Sequence, residues 1–106
     1  MKKYTQEELD QALKDGIKDF SGCDLSNLDF RRANLSNANF SNAKLRGANF
    51  SCATLRRANF SDADLEWANL SNAKLANAIL LKANLAYANL RKAKFFTTNT
   101  FKQKKW

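Results

Sequence analysis

Proline, valine and histidine are absent from this chain of 106 residues, and glycine occurs only three times. The absence of valine and the shortage of turn-forming residues argue against an ordinary globular domain built on a flat sheet. Without histidine or a CxxC pair, the two cysteines, Cys23 and Cys52, form neither a zinc motif nor a secreted disulfide framework. We therefore expect no metal ion and no cofactor.

Long apolar runs and acidic residues are also scarce. No apolar stretch approaches the roughly 18 residues needed to span a bilayer, and residues 1–10 are too polar for a signal peptide, so a cytoplasmic location is expected. The chain has ten acidic and 18 basic residues, which gives a formal net charge of +8 and favours contact with anionic partners.

A five-residue repeat dominates the sequence. Every fifth residue from Phe20 to Phe95 is Leu or Phe, and the residue two positions earlier is Ala at every step from Ala33 to Ala93. A period of five fits neither an α-helix nor a flat strand. Short extended segments joined by turns, four to a coil of twenty residues, would instead stack each residue on the one twenty positions earlier, about 4.8 Å away.

The motifs Ala33-Asn34-Leu35-Ser36-Asn37 and Ala48-Asn49-Phe50-Ser51-Cys52 resemble the pentapeptide-repeat family and its A(D/N)LXX consensus. The resemblance implies an all-β solenoid, a right-handed quadrilateral β-helix of about four coils. Its small and bulky apolar residues should point inward and the other three residues of each repeat outward. We predict an N-terminal capping helix in residues 1–19, the β-helix in residues 20–96, and a basic aromatic tail in residues 97–106.

The two ends of a solenoid need cover. Thr5 and Glu8 form a capping-box motif, and apolar residues at helical spacing follow, which predicts a helix over about residues 5–15 that covers the first coil. These apolar residues are Leu9, Leu13 and Ile17. At the other end, aromatic residues either fold over the last coil or pack against a second copy of the chain. The residues of this candidate dimer end are Phe95, Phe96, Phe101 and Trp106.

The four sides of the coil are numbered by the inward residues of the first coil: side 1 by Phe20, side 2 by Leu25, side 3 by Phe30 and side 4 by Leu35. Sides 3 and 4 collect the basic residues that could bind nucleic acid or anionic lipid. These candidates are Arg31, Arg32, Arg56, Arg57, Lys74, Arg91, Lys92 and Lys94. The alternative is a solvated exterior, because no aromatic residue alternates with these charges as a stacking platform would require.

Charged residues on side 2 alternate in sign. Asp24, Lys44 and Asp64 should share one column, and Arg46 should lie beneath Glu66 in the next. Such cross-strand pairs indicate a structural role rather than a catalytic one. Since no nucleophile can be paired with a base, we do not expect an enzyme.

Outward apolar residues cluster in the later coils. Trp67, Ile79, Leu81 and Tyr87 are expected near one corner, either as a contact patch for a protein partner or as scattered exposed side chains.

We therefore predict a non-enzymatic structural or protein-binding module, with binding of nucleic acid or anionic lipid as the alternative. The resemblance also implies DNA mimicry towards DNA gyrase, but a charge of +8 and a rod of about 19 Å argue against it.

Overall fold

The computed structural model describes residues 1–95, and these residues form a solenoid with a coil of twenty residues. Parallel backbone bridges join residues twenty positions apart in four columns, one on each side of the coil. The bridges pair Asp19 with Asn39, Asp24 with Lys44, Asp29 with Asn49, Asn34 with Thr54, Asn39 with Asn59, Lys44 with Asp64, Asn49 with Asn69, Thr54 with Lys74, Asn59 with Ile79, Asp64 with Asn84, Asn69 with Asn89, and Lys74 with Lys94. Each bridge is a single residue pair rather than a continuous strand, because the chain turns after every inward residue.

A tight turn follows each inward Leu or Phe. At Leu55, for example, the N–H of Ala58 donates to the Leu55 carbonyl at 3.0 Å, and Arg57 has φ +59°. A positive φ at the third residue of the turn is what a type II turn requires, and it favours Gly or Asn. Several larger residues adopt it here, because hydrogen bonds to the next coil, such as that from the Arg57 N–H to the Ala76 carbonyl, hold the backbone in place.

The Asp or Asn before most inward residues has a hydrogen-bonding role. Asn59 Oδ1, for example, accepts from the Ser61 N–H at 2.9 Å and from the Ser61 hydroxyl at 2.6 Å. The same contact to the residue two positions later recurs at Asp19, Asp24 and Asn69. The short side chain thus satisfies a backbone donor at the corner, as in an Asx turn.

The interior is filled by stacked columns of like side chains. Phe40 stacks between Phe20 and Phe60 with ring centroids 5.4 and 5.1 Å apart, and Phe30 stacks on Phe50 at 4.5 Å. Rings of the two columns meet edge to face, as at 5.6 Å between Phe40 and Phe50. The alanines of the middle coils are fully buried beside them, so the coil has no room for two large side chains per side.

The inward residues of the last described coil are only partly buried, and they include Leu80, Leu85, Leu90 and Phe95. Phe95 is the one member of the candidate dimer end within the described residues. Phe96, Phe101 and Trp106, together with the predicted tail 97–106, lie outside them.

The N-terminal segment forms one helix, α1 (Gln6–Lys14), and both hydrogen bonds of the predicted Thr5 and Glu8 capping box are present. Leu9 is fully buried. Ile17, which was expected on the same apolar face, lies beyond the helix and is 42% exposed, because the chain leaves the helix at Gly16 with φ +75°.

The same segment bonds to the outer edge of the first coil on three sides. On side 2, Asp24 donates to the Lys2 carbonyl and accepts from the Tyr4 N–H. On side 3, the Gln6 amide donates to the Asp29 carbonyl at 3.0 Å and accepts from the Asp29 N–H at 2.8 Å. On side 4, Lys18 Nζ donates to the Asn34 carbonyl at 3.0 Å.

Replacing the buried Ala58 with Leu should overfill the coil and lower the free energy of unfolding by about 1 to 3 kcal/mol. Ala86 provides the matched control, because the same substitution at this exposed turn position should change it by less than about 0.5 kcal/mol. Urea denaturation measures both changes. Equal losses at the two positions would contradict the assignment of inward and outward residues.

The Asx turns predict that acid destabilises the protein. Hydrogen bonds from the hydroxyl and N–H of Ser21 lower the pKa of the Asp19 carboxyl, and those from Ser26 lower the pKa of Asp24. A carboxyl whose pKa is lower in the folded chain stabilises the fold above the unfolded value of about 3.9, and this stabilisation is lost as the pH falls below it.

Replacing Asp19 and Asp24 together with Asn keeps the oxygen acceptor but removes the titration. The melting temperature of the double variant should therefore fall by fewer degrees than that of the wild type between pH 7 and pH 2.5. Asp62→Asn, at a turn position that Asn occupies elsewhere in the chain, is the control and should keep the wild-type acid sensitivity. The idea fails if the double variant and the wild type lose the same number of degrees.

Candidate functional site

Two large aromatic side chains form a ledge on the surface at the end of side 2. Trp67 and Tyr87 are the third turn residues in successive coils, held in register by the hydrogen bond from the Trp67 N–H to the Ala86 carbonyl at 3.0 Å. Their rings stack with centroids 4.5 Å apart and an angle of 11° between planes. Trp67 is 63% and Tyr87 72% exposed, so the outer surfaces of both rings face solvent. We call this pair the aromatic ledge.

The other two residues of the candidate partner patch lie on side 1 of the last coil. Ile79, 47% exposed, takes the outward position that is polar in most repeats and bridges to Asn59. Leu81, 66% exposed, belongs to the turn that enters side 2, whereas Tyr87 belongs to the turn that leaves it. The structure thus brings Trp67 and Tyr87 together and places Ile79 and Leu81 across side 2 from them. Their role as a contact patch stays a prediction.

The twenty-residue register alone could have predicted the stacking of Trp67 on Tyr87, because the two positions are twenty apart. The sequence pattern predicted Trp67 and Tyr87 near one corner but not in contact. Gly47 precedes Trp67 in the same column.

A network of ion pairs lies beside the aromatic ledge on side 2. Arg46 Nε donates to Asp64 Oδ2 at 2.7 Å, and its terminal nitrogen lies 2.8 Å from Glu66 Oε1. The pairing of Arg46 with Glu66 confirms the predicted column. Partial burial raises the pKa of Asp64, but hydrogen bonds from Arg46 and from the Glu66 N–H outweigh it and leave that pKa lowered. The carboxylates of Asp64 and Glu66 therefore have a structural role, because both are paired with Arg46. Within residues 1–95, no cluster of three or more Cys, Asp or Glu side chains could hold a metal ion.

The candidate anion-binding residues are exposed but divided among the coils. Arg31 binds Asp29 through two nitrogens, and this contact lowers the pKa of Asp29 and offsets the charge of Arg31. On side 4, Lys74 and Lys94 share one column, linked by a backbone bridge. The other five candidates all lie in turns, namely Arg32, Arg56, Arg57, Arg91 and Lys92. Side 4 therefore gathers basic residues without forming a single focused site.

The two cysteines are free thiols. Cys23 is partly buried at an inward position, where desolvation and the nearby Asp19 charge raise its pKa. Cys52 is exposed on side 3 and lines a shallow surface groove with Asp29, Arg32 and Ser51. The groove was not anticipated from the sequence, because its shape depends on how the turns of the first and second coils stack.

The family-level comparison agrees with the five-residue repeat. The model of the pentapeptide repeat region matches residues 18–90. This chain belongs to the pentapeptide-repeat family. The right-handed winding implied by the family remains a prediction for this pentapeptide-repeat protein.

Several solved pentapeptide repeat proteins are similar to it. Rfr23 from the cyanobacterium Cyanothece 51142 is 31% identical over 76% of this chain and 61% of that chain, with a TM-score of 0.42. A thylakoid lumen protein of Arabidopsis thaliana is 36% identical over 74% of this chain and 58% of that chain, with a TM-score of 0.40. A protein from Nostoc Pcc 7120 is 31% identical over 92% of this chain and 88% of that chain, with a TM-score of 0.43.

The chain thus spans about three fifths of the length of the first two of these structures. Comparison with the curated proteins gives no match. Within residues 1–95, no helix is long and apolar enough to cross a membrane.

Proposed function

We propose that this pentapeptide-repeat protein is a non-enzymatic module that binds another protein through the aromatic ledge, with Leu81 and Ile79 extending the contact. The observation that carries the proposal is the exposed stack of Trp67 on Tyr87. Exposed aromatic residues of this size are unusual on a surface that has no contact to make, and Trp and Tyr are enriched where interfaces concentrate their binding energy.

The backbone beneath the aromatic ledge supports this proposal. Both residues sit in turns with φ near +60°, and hydrogen bonds between coils hold those turns in register. The rings are therefore already ordered before a partner arrives, which reduces the conformational entropy lost on binding. The middle coils, in contrast, are filled with buried side chains and offer no interior space to a small molecule.

Capture of partners from an extract of the native host, followed by quantitative mass spectrometry, tests the proposal. Replacing Trp67 or Tyr87 with Ala should reduce recovery of the specific partner by about tenfold or more, since truncation of an aromatic anchor typically costs about 2 kcal/mol. Asn72→Ala is the matched control, because Asn72 holds the same turn position on the next side of the same coil. The proposal is wrong if every captured protein is recovered equally well with all three variants.

The alternative is a basic surface that binds nucleic acid or anionic lipid. Its support is the column of Lys74 and Lys94 on side 4, with Arg56 and Arg57 in the neighbouring coil and no acidic residue on that side. The same excess of positive charge disfavours DNA mimicry towards gyrase, which would need a negative surface.

Binding assays in a salt series distinguish the two functions. If the alternative is correct, duplex DNA or anionic vesicles should bind at about 50 mM salt and lose most of their affinity by about 200 mM. Lys74→Gln with Lys94→Gln should weaken this binding, whereas Lys14→Gln with Lys44→Gln, which removes the same charge from α1 and side 2, should weaken it less. Absence of binding at low salt would exclude the alternative.

We further propose that residues 2–14 cap the first coil. Gln6 supports this role, because its side-chain amide makes the two hydrogen bonds to Asp29 that a preceding coil would otherwise make. Covering a sheet edge in this way prevents it from pairing with another chain. We also propose a homodimer through the other end, which the partly exposed Leu85 and Leu90 support. A cytoplasmic location is a further proposal, which the two free thiols support.

Gln6→Ala should lower the free energy of unfolding by about 1 to 2 kcal/mol, because two hydrogen bonds to the first coil are lost. Gln11→Ala is the control within the same helix, because the Gln11 side chain donates to Asp15 rather than to the first coil. This substitution should lower the free energy of unfolding by less than about 0.5 kcal/mol. Urea denaturation measures both. A loss at Gln6 no larger than that at Gln11 would argue against the cap.

A further inference from the structure

The last described coil, residues 76–95, carries charge of one sign only. All ten acidic residues of the chain lie within residues 1–66, whereas seven of its 18 basic residues follow residue 76. Four of these seven belong to the last described coil and are exposed, namely Lys82, Arg91, Lys92 and Lys94. Positive charge is therefore concentrated at the end of the solenoid opposite α1. We call the outer surface of residues 76–95 the terminal face.

The basic side chains lie at separate corners of the terminal face. Lys82 belongs to the turn between sides 1 and 2, and Arg91 and Lys92 belong to the turn between sides 3 and 4, at the diagonally opposite corner of the coil. Lys94 lies on side 4. A short acidic segment along one side of the coil would reach only one of these corners. The complementary surface must therefore be both broad and negatively charged.

Apolar side chains occupy the terminal face between these corners. The inward residues Leu80, Leu85 and Leu90 are only partly buried, because within residues 1–95 no further coil stacks on them. Leu81 and Tyr87 are exposed in two of the turns. Apolar side chains surrounded by Lys and Arg are typical of surfaces that bind anionic membranes.

The backbone of the terminal face offers hydrogen-bond donors. One coil below it, the N–H of Leu65 donates to the Asn84 carbonyl at 2.8 Å. Among residues 1–95, the equivalent N–H groups of Leu80, Leu85 and Leu90 have no such partner in a following coil. A surface that covers this end should therefore supply acceptors, and the phosphate oxygens of lipid headgroups are strong acceptors.

We propose that the terminal face docks on a bilayer that contains anionic phospholipid. A bilayer presents negative charge to both basic corners, phosphate oxygens to the backbone donors, and an apolar layer beneath the headgroups to Leu81 and Tyr87. Residues 96–106 continue the chain from this end, and they include three lysines and three aromatic residues but no acidic one. The inference goes beyond the proposed function, because it needs no protein partner and uses the end of the coil rather than side 4.

Vesicle sedimentation with the full chain tests the proposal. The probes are vesicles of phosphatidylcholine alone and vesicles in which about 30% of this lipid is replaced by phosphatidylglycerol. The protein should sediment with the anionic vesicles at about 50 mM salt, lose most of this binding by about 500 mM, and stay in solution with the neutral vesicles. Equal binding to both kinds of vesicle would overturn the proposal.

Lys82→Asn with Lys92→Asn removes two charges from opposite corners of the terminal face. The fold accepts Asn at both positions, because Asn42 and Asn72 hold the same turn position with positive φ in the same two columns. Binding to the anionic vesicles should weaken about tenfold or more, since each basic residue near such a bilayer contributes about fivefold.

Arg32→Asn with Arg57→Asn is the matched control. It removes the same charge from the same turn position in the first two coils, away from the terminal face. Its effect on vesicle binding should be less than about threefold, because charges about a Debye length from the bilayer are screened. Equal effects of the two double variants would contradict docking through the end of the coil.

Leu81→Ser distinguishes docking from simple attraction of a basic protein. It leaves the net charge unchanged and restores the serine that the three preceding coils have at this position, namely Ser21, Ser41 and Ser61. Binding to the anionic vesicles should weaken about three- to fivefold, because the exposed leucine no longer enters the apolar layer. Unchanged binding would mean that charge alone attracts the protein, and the docking proposal would then be wrong.

Duplex DNA and a second copy of the chain are the other occupants to be tested. DNA that binds more tightly than the anionic vesicles at equal phosphate concentration, and depends on Lys82 and Lys92, would assign the terminal face to nucleic acid. A homodimer through the same end would bring like charges together, so sedimentation velocity should show monomers at about 50 mM salt. A dimer that persists at this salt concentration and prevents vesicle binding would also overturn the proposal.

Discussion

Hydrogen bonding between successive coils is the interaction on which the rest of the structure depends. Each side contributes a few bonds, such as the Phe40 N–H to the Asn59 carbonyl at 2.7 Å and the Asn59 N–H to the Ala38 carbonyl at 2.9 Å. They fix the repeat at twenty residues, and the narrow square that results accepts one bulky and one small side chain per side. Alanine is therefore needed beside every Leu or Phe, and a turn with positive φ is needed after it.

The same constraint organises the surface. Because residues twenty apart are stacked, several interactions among outward side chains run along a column: Arg46 reaches Glu66, Lys74 neighbours Lys94, and Trp67 stacks on Tyr87. Side chains on a rigid column are held in place before binding. Where a column contains a glycine, a neighbouring coil can fill the space: Asn27 Oδ1 lies where a side chain at Gly47 would begin.

Most of the core could be predicted from the sequence, because a strict five-residue period leaves one arrangement in which all the Leu and Phe residues are buried together. The charge pairing of Arg46 with Glu66 followed from the same register, and the capping box followed from Thr5 and Glu8. The bonds of Gln6 to Asp29 could not be predicted, since they depend on the path of an irregular segment and on the reach of a flexible side chain. The exposure of Ile17 was missed because the turn at Gly16 ends the helix before it. For the candidate site, the register placed Trp67 and Tyr87 in one column, but the division of the patch across side 2 depends on the geometry of the corners.

Methyl NOE spectroscopy on a sample with selectively labelled leucine methyl groups tests the twenty-residue register most directly. The structure predicts a continuous series of contacts from Leu25 to Leu45, from Leu45 to Leu65, and from Leu65 to Leu85, all within one column. Contacts of Leu45 with residues from other columns in place of Leu25 and Leu65, or methyl groups of Leu45 and Leu65 accessible to a paramagnetic agent in solvent, would contradict the coil and every surface derived from it.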